Sequence, residues 1–224
     1  MRVPEWLAPV ARLAETIRPE DFAAILPPQD GGGRASAVLL LFWRDDERGV
    51  QILLIERSAR LRSHAGQPAF PGGALDSGDA GPVAAALRET VEETGLDPAG
   101  VEVFGCLPDL FIPVSNYRVA PVLAWWREPS PVHAVDSAEV AAVHAVRLAD
   151  LVNPDNRLHV RHAASGRVMP GFAVNGMLVW GFTAGVLDHL IRLVGWELPW
   201  SAEKVVDLSD EALALAARTD PSGG

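Results

Sequence analysis

Three carboxylates crowd into the run Arg88-Glu89-Thr90-Val91-Glu92-Glu93-Thr94-Gly95-Leu96. On a helix, successive residues turn by about 100°, so side chains three or four apart share a face. Glu89, Glu92 and Glu93 then fall within one arc of about 100°, where their repulsion weakens the helix unless a cation sits among them. Ala84, Leu87 and Val91 occupy the other side and are expected to face a core. Hard divalent cations such as Mg²⁺ take carboxylate oxygens, commonly together with a substrate phosphate. An isolated E-x-x-E-E run is in most helices only a solvated face, so the reading turns on what flanks it.

Upstream stands Phe70-Pro71-Gly72-Gly73-Ala74-Leu75-Asp76-Ser77-Gly78-Asp79. Pro71-Gly72-Gly73 signals a turn, and glycine lets a backbone come close to a ligand. Asp79 suits an N-cap, Pro82 the first helical turn, and Gly95 the position just past the helix end. A glycine loop followed by a capped acidic helix sets a loop carbonyl beside helical carboxylates. That donor set fits a cation bound to a diphosphate.

The pattern resembles that of the Nudix hydrolases, G-x5-E-x7-R-E-U-x-E-E-x-G-U with U aliphatic, which cleave a nucleoside diphosphate linked to another group. Gly73, Arg88, Glu89, Glu92, Glu93, Gly95 and Leu96 match it. Three positions depart: Asp79 replaces glutamate, eight residues rather than seven separate it from Arg88, and Thr90 replaces an aliphatic residue. A second stretch, Leu53-Leu54-Ile55-Glu56-Arg57-Ser58, runs on through Arg62 and Gly66 to Phe70-Pro71-Gly72-Gly73. It is similar to the signature L-L-T-x-R-S-x3-R-x3-G-x3-F-P-G-G of the branch acting on coenzyme A, with Ile55 at the threonine position. The two motifs abut and cover residues 53–96, and a looser similarity extends over 36–195.

The resemblance implies a Mg²⁺- or Mn²⁺-dependent pyrophosphohydrolase. Its substrate would be coenzyme A or a derivative, cleaved to adenosine 3′,5′-bisphosphate and 4′-phosphopantetheine. Glu89 and Glu93 would hold the metal, with Glu92 and the Gly73 carbonyl close by. Gly72, Gly73, Arg57, Arg62 and His64 would meet the substrate, since arginine engages phosphate bidentately. Arg88 would pair with Glu92, one turn on, and orient the metal ligands. Glu139 stands just before a strand, where Nudix enzymes often supply a base or a further metal ligand; an exposed acidic loop residue is the competing reading. Two alternatives stay open: a Nudix hydrolase of ADP-ribose, NADH or diadenosine polyphosphate, and a non-catalytic nucleotide-binding module. The intact carboxylates and Arg88 argue against the second. The six histidines show no zinc spacing, and no nucleophile elbow is present.

Composition bounds the partners. With 49% hydrophobic and 21% charged residues among 224, the chain can bury a sizeable core. A formal charge of −10 disfavours nucleic-acid backbone as a ligand, so an anionic small molecule needs a local positive patch plus metal. No apolar run reaches the ~20 residues that span a bilayer, and no signal-peptide block opens the sequence. The single cysteine, Cys106, leaves no internal disulfide, which points to the cytoplasm. A homodimer is left open.

The elements that must position these residues follow from pattern. Residues 5–26 read as a helical arm, and 27–33 as a turn or connector. Ala35–Trp43 and Val50–Glu56 read as strands around an Asp45–Gly49 turn, followed by strands at Val101–Leu107, Tyr117–Trp126 and Ala141–Arg147. His159–His162 and Arg167–Phe172 form a hairpin around Ser165-Gly166, and Met177–Val194 an apolar helix. The expected architecture is an α/β fold, a Nudix-type α/β/α sandwich with a mixed sheet. Residues 1–33 would form an arm and connector, 34–200 the catalytic domain and 201–224 an extension.

Overall fold

The computed structural model describes residues 3–22, 32–61, 65–113, 115–162 and 166–208. Helices α1 (Ala8–Thr16) and α2 (Pro19–Phe22) precede strands β1 (Arg34–Asp45), β2 (Gly49–Arg57), β3 (Pro68–Ala69) and β4 (Gly72–Ala74). Helix α3 (Pro82–Thr94) leads to strands β5 (Val101–Cys106), β6 (Leu110–Ile112), β7 (Tyr117–Trp126) and β8 (Val140–Arg147). Then come α4 (Leu148–Val152), β9 (Arg157–Arg161), β10 (Val168–Val174), β11 (Met177–Val179), α5 (Gly181–Leu193) and β12 (Val205–Asp207). The α/β class and mixed sheet expected of a Nudix-type fold are both present. The chain divides into two units, Met1–Trp43 with Phe70–Val135, and Arg44–Ala69 with Asp136–Gly224.

In the first unit the apolar run of β1 places Leu39, Leu40, Leu41 and Phe42 all in the core. Burial on both faces is what a strand with a parallel neighbour shows. β1 pairs in parallel with β7 from Arg34↔Tyr117 to Phe42↔Trp125. β4 lies antiparallel to β1 at Ala37↔Gly73 and Val38↔Gly72, while β5 and β6 pair antiparallel with β7. Helix α3 packs on β4 and β7, and α1 on β5. The N-terminal arm is not one continuous helix. Ile17 turns extended at ψ 139°, two residues ahead of Pro19, and a helix usually ends at or before the residue that precedes a proline. Residues 23–26 of that expected helix, and 27–31 of the connector, lie outside the described residues.

In the second unit β2 pairs antiparallel with β8 from Gln51↔Arg147 to Glu56↔Ala142, then bulges between Glu56 and Arg57. The Asp45–Gly49 turn forms as read: Asp45 Oδ1 accepts from the N–H groups of Glu47 (2.9 Å) and Arg48 (2.7 Å). A separate sheet runs β11-β10-β9-β12. Its β9–β10 hairpin agrees with the sequence reading, but the helix expected over 177–194 does not begin there. Asn175 (φ 50°) and Gly176 (φ 75°) form a tight turn, a pairing that reverses a strand into a two-residue hairpin. Met177–Val179 therefore returns along β10, and α5 starts only after Trp180.

Gly100 marks a close backbone approach. Its carbonyl accepts from the N–H groups of Arg127 (2.9 Å) and Glu128 (3.2 Å), and a Cβ there would lie 2.3 Å from the Glu128 carbonyl oxygen. Gly100→Ala is expected to cost about 1–3 kcal/mol, seen as a fall in Tm of about 2–4 °C per kcal/mol. An unchanged melting curve would contradict this packing.

Candidate active site

Helix α3 begins at Pro82, whose missing N–H falls where no intrahelical acceptor exists. It ends at Gly95 in the left-handed region (φ 68°), with its N–H on the Val91 carbonyl at 2.9 Å. Both boundaries match the sequence reading. The N-cap does not: Gly81 holds that position, and Asp79 is used elsewhere.

The buried face of α3 also differs from expectation. Ala85, Ala86, Thr90, Glu93 and Thr94 are buried, whereas Ala84, Leu87 and Val91 are only half-buried. Thr90 donates to the Ala86 carbonyl at 2.7 Å and Thr94 to the Thr90 carbonyl at 2.6 Å. Their hydroxyls are satisfied by the helix itself, so two short side chains can sit inside without an orphaned donor. The three glutamates consequently spread over different environments. Glu92 is exposed, Glu89 partly buried, and Glu93 only 6% exposed.

What receives Glu93 is the glycine strand. Gly72 donates its N–H to Glu93 Oε2 at 2.9 Å. Gly72 itself sits at φ 148°, where an added Cβ would lie 2.2 Å from the Ala37 carbonyl oxygen of β1. A Cβ on Gly73 would stand 2.4 Å from the Glu89 carboxyl carbon. The paired glycines are thus needed for two separate reasons: one lies against backbone, the other against a carboxylate. The Pro71 carbonyl accepts from Leu39 N–H (2.8 Å), and Leu75 N–H donates to the Ala35 carbonyl (3.0 Å), fixing β4 at both ends.

Arg88 links the remaining acids. Its Nε and Nη2 donate to the two oxygens of Asp79 at 3.1 and 3.0 Å, and Nη2 also reaches the Ala74 carbonyl at 3.1 Å. Nη1 donates to Glu89 Oε1 and Glu92 Oε2, each at 3.0 Å. The Glu92 pairing is the one anticipated. The grip of Asp79 was not anticipated, because its spacing and length both depart from the motif; the shorter acid one residue farther away still binds bidentately. Asp79 also accepts from the Asp76 N–H at 2.8 Å. The hydrogen bonds from Arg88 hold the Asp79 carboxyl below its ordinary value. Burial pushes that of Glu89 up, and Arg88 opposes the rise.

Among the described residues no three acidic, histidine or cysteine side chains converge as a finished metal cage. The donor set still fits a hard cation. All candidate donors are oxygen, and Mg²⁺ commonly takes one or two carboxylates and completes its shell with water and substrate phosphate. A single Cβ on Gly73 would fill the cradle against the Glu89 carboxyl.

The other expected site residues belong to the second unit. Arg57 donates its N–H to the Gln67 carbonyl (3.1 Å) and accepts from Gly66 N–H (2.9 Å), which closes the signature loop at its base. Ser58 N–H donates to the Glu139 carbonyl at 2.8 Å, so the exposed turn bearing Glu139 is tied to that loop just before β8. Arg62 and His64 lie outside the described residues. A pair the sequence did not suggest lies nearby, with His144 Nε2 and Glu56 Oε2 at 3.6 Å.

The opposed shifts give a direct check. In metal-free protein, the Asp79 carboxyl should titrate below the ordinary 3.8 and the Glu89 carboxyl above the ordinary 4.5, read by carboxyl-carbon NMR. The signs for stability follow. The part due to Asp79 is present above its unfolded pKa and is lost as pH falls through the lower folded value. Ionised Glu89 opposes folding, and that opposition is relieved as pH falls through its raised value. Interchanged titration midpoints would contradict the network.

The NUDIX domain pattern matches residues 33–167. The uncharacterized Nudix hydrolase NudL of Escherichia fergusonii is 40% identical over 166 residues, covering 72% of this chain and 83% of its own. The NudL protein of Citrobacter koseri is 40% identical over 179 residues, covering 76% and 90%. Among solved structures, a NUDIX hydrolase from Nitrosomonas europaea aligns at 14% identity with a TM-score of 0.46, over 79% of this chain and 80% of its own. With the domain match spanning more than half the chain and relatives this similar along most of their length, the chain belongs to the Nudix hydrolase family.

Proposed function

We propose that this Nudix hydrolase cleaves the diphosphate of coenzyme A or its derivatives, releasing adenosine 3′,5′-bisphosphate and 4′-phosphopantetheine. The observation that carries the reading is the signature from Leu53 to Gly73, which runs without a gap into the carboxylate helix. Residues 34–200 are taken as the catalytic domain, 1–33 as its arm and 201–224 as an extension. The protein would work on a small nucleotide, as a cytoplasmic enzyme that can pair as a homodimer.

Nudix hydrolases use divalent metal ions, and Mg²⁺ or Mn²⁺ is the proposed cofactor here. Bound at the site, the ion would neutralise diphosphate charge and acidify a water. Glu89 and Glu93 would hold it, with Glu92 and the Gly73 carbonyl beside them. Gly72 supports this role by donating its N–H to the buried Glu93, which offsets part of the cost of burying a carboxylate. Arg88 orients Glu89 and Glu92 from behind and is itself locked by Asp79. Arg57, Arg62 and His64 would read the substrate's phosphates, including the 3′-phosphate. Glu139 would accept the proton of the attacking water, with its carbonyl held by Ser58 N–H. No covalent intermediate is needed, because charge stabilisation and positioning suffice for phosphoryl chemistry.

Digestion of coenzyme A with Mg²⁺, followed by mass identification of products, should yield the two named fragments faster than turnover of ADP-ribose, NADH or diadenosine polyphosphate. Preference for one of those three would overturn the substrate assignment and leave the chemistry standing. Glu89→Gln and Glu93→Gln should each lower kcat by about 10³-fold or more with the fold retained.

Glu139→Gln should cut kcat by about 10²–10⁴-fold with little change in KM, and flatten the acid limb of the pH–rate profile. An unaltered rate and acid limb would remove Glu139 from the mechanism.

A further inference from the structure

A carboxylate in an exposed turn serves as a proton acceptor only if the backbone beneath it is fixed, because a misplacement of about 1 Å can cost as much as 10²-fold in rate. Glu139 is exposed, and its carboxylate has no hydrogen bond or ion pair among the described residues. Whatever fixes it therefore acts on its main chain.

Asp136, three residues upstream in the same unit, does so. Its carbonyl accepts from the Glu139 N–H at 3.0 Å and from the Val140 N–H at 2.9 Å. Its side-chain Oδ1 accepts from the Ala138 N–H at 2.7 Å. One residue thus takes the N–H groups of 138, 139 and 140, its side chain standing in for a backbone acceptor as in an Asx turn. No helix follows, because Val140 opens β8 and is 0% exposed.

The other side of the turn is held as well. The Glu139 carbonyl accepts from the N–H of Ser58 at 2.8 Å, and Ser58 is buried. Both main-chain polar groups of Glu139 are therefore engaged while its carboxylate is left open. Val140 stands opposite Arg57, where β2 bulges between Glu56 and Arg57. A bulge re-aims the side chains beside it, so the direction of Glu139 is set by this turn and not by regular strand alternation.

We propose that Asp136 is the positioning residue for Glu139: by holding the Ala138 N–H, its carboxylate sets the turn that aims Glu139 at the attacking water. This rests on the reading of Glu139 as the proton acceptor. What matters in Asp136 is the acceptor oxygen and not the charge, since among the described residues Oδ1 meets a neutral N–H and no cation. Asparagine offers the same oxygen and makes the same turn.

The test compares Asp136→Ala, Asp136→Asn, Glu139→Gln and the double variant Asp136→Ala/Glu139→Gln in the full chain. Amide hydrogen exchange of Glu139 and Val140 is read without metal. Turnover is read with Mg²⁺ on whichever of coenzyme A, ADP-ribose, NADH and diadenosine polyphosphate the wild type cleaves fastest. Asp136 is exposed, so its variants should fold. Asp136→Ala should speed exchange at both amides by about fivefold, as loss of a capping side chain does, and lower kcat by about 10–10²-fold with little change in KM. Asp136→Asn should recover most of both. The double variant should be no slower than Glu139→Gln alone, because Asp136 acts through Glu139. If Glu139→Gln is slow while Asp136→Ala keeps the wild-type rate or exchange, or if the two losses multiply, or if Asp136→Asn is as impaired as Asp136→Ala, the positioning role is overturned and Glu139 keeps its own. A wild-type rate in Glu139→Gln removes the proton acceptor, and the role of Asp136 with it.

Discussion

The guanidinium of Arg88 is the constraint on which the candidate site depends. Three glutamates within five residues of one helix repel each other, yet two of them are drawn onto a single nitrogen of Arg88 at 3.0 Å. That nitrogen can be placed only because the other side of the guanidinium is already fixed, by both oxygens of Asp79 and by the Ala74 carbonyl. A planar fork with donors on two edges can do this; a lysine, with one point charge, could not hold acids on opposite sides. The arrangement fixes where the Glu89 and Glu92 carboxylates point.

The third glutamate follows a different logic. Glu93 turns inward, and the Gly72 N–H donates to its Oε2. Its position requires β4 to lie close to α3, and β4 can do so only because neither glycine carries a Cβ toward β1 or Glu89. Glycine at these places serves two contacts at once, with the conformational freedom at Gly72 adding to the case for it. The hydroxyls of Thr90 and Thr94 serve the same closeness from the helix side, since they bond within the helix and need no partner across the interface.

Much of this was legible in the residues. Pro82 and Gly95 announce the ends of α3, and the apolar runs of β1 and β7 announce strands, because each is a local signal with a local cause. Which side of α3 faces inward was not legible. Angular arithmetic groups Glu89, Glu92 and Glu93, but it cannot show that a strand N–H waits for Glu93 or that threonine is a better buried residue here than leucine. Asn175-Gly176 carried a turn signal strong enough to break the helix expected from Met177, and the apolar content of the following residues masked it. Arg157 had no motif around it; its burial between the rings of Phe172 and Trp200 is something only the tertiary fold creates.

The central claim is that Glu89 and Glu93, set by Arg88 and Gly72, form a divalent-cation site. Titration of Mn²⁺ followed by the EPR signal of the free ion tests it without reference to any substrate. The wild-type chain should suppress the signal saturably. Glu89→Gln and Glu93→Gln should each release most of the bound ion, while the exposed turn variant Glu47→Gln should behave as wild type. Equal Mn²⁺ binding in the wild type and both helix variants would contradict the account.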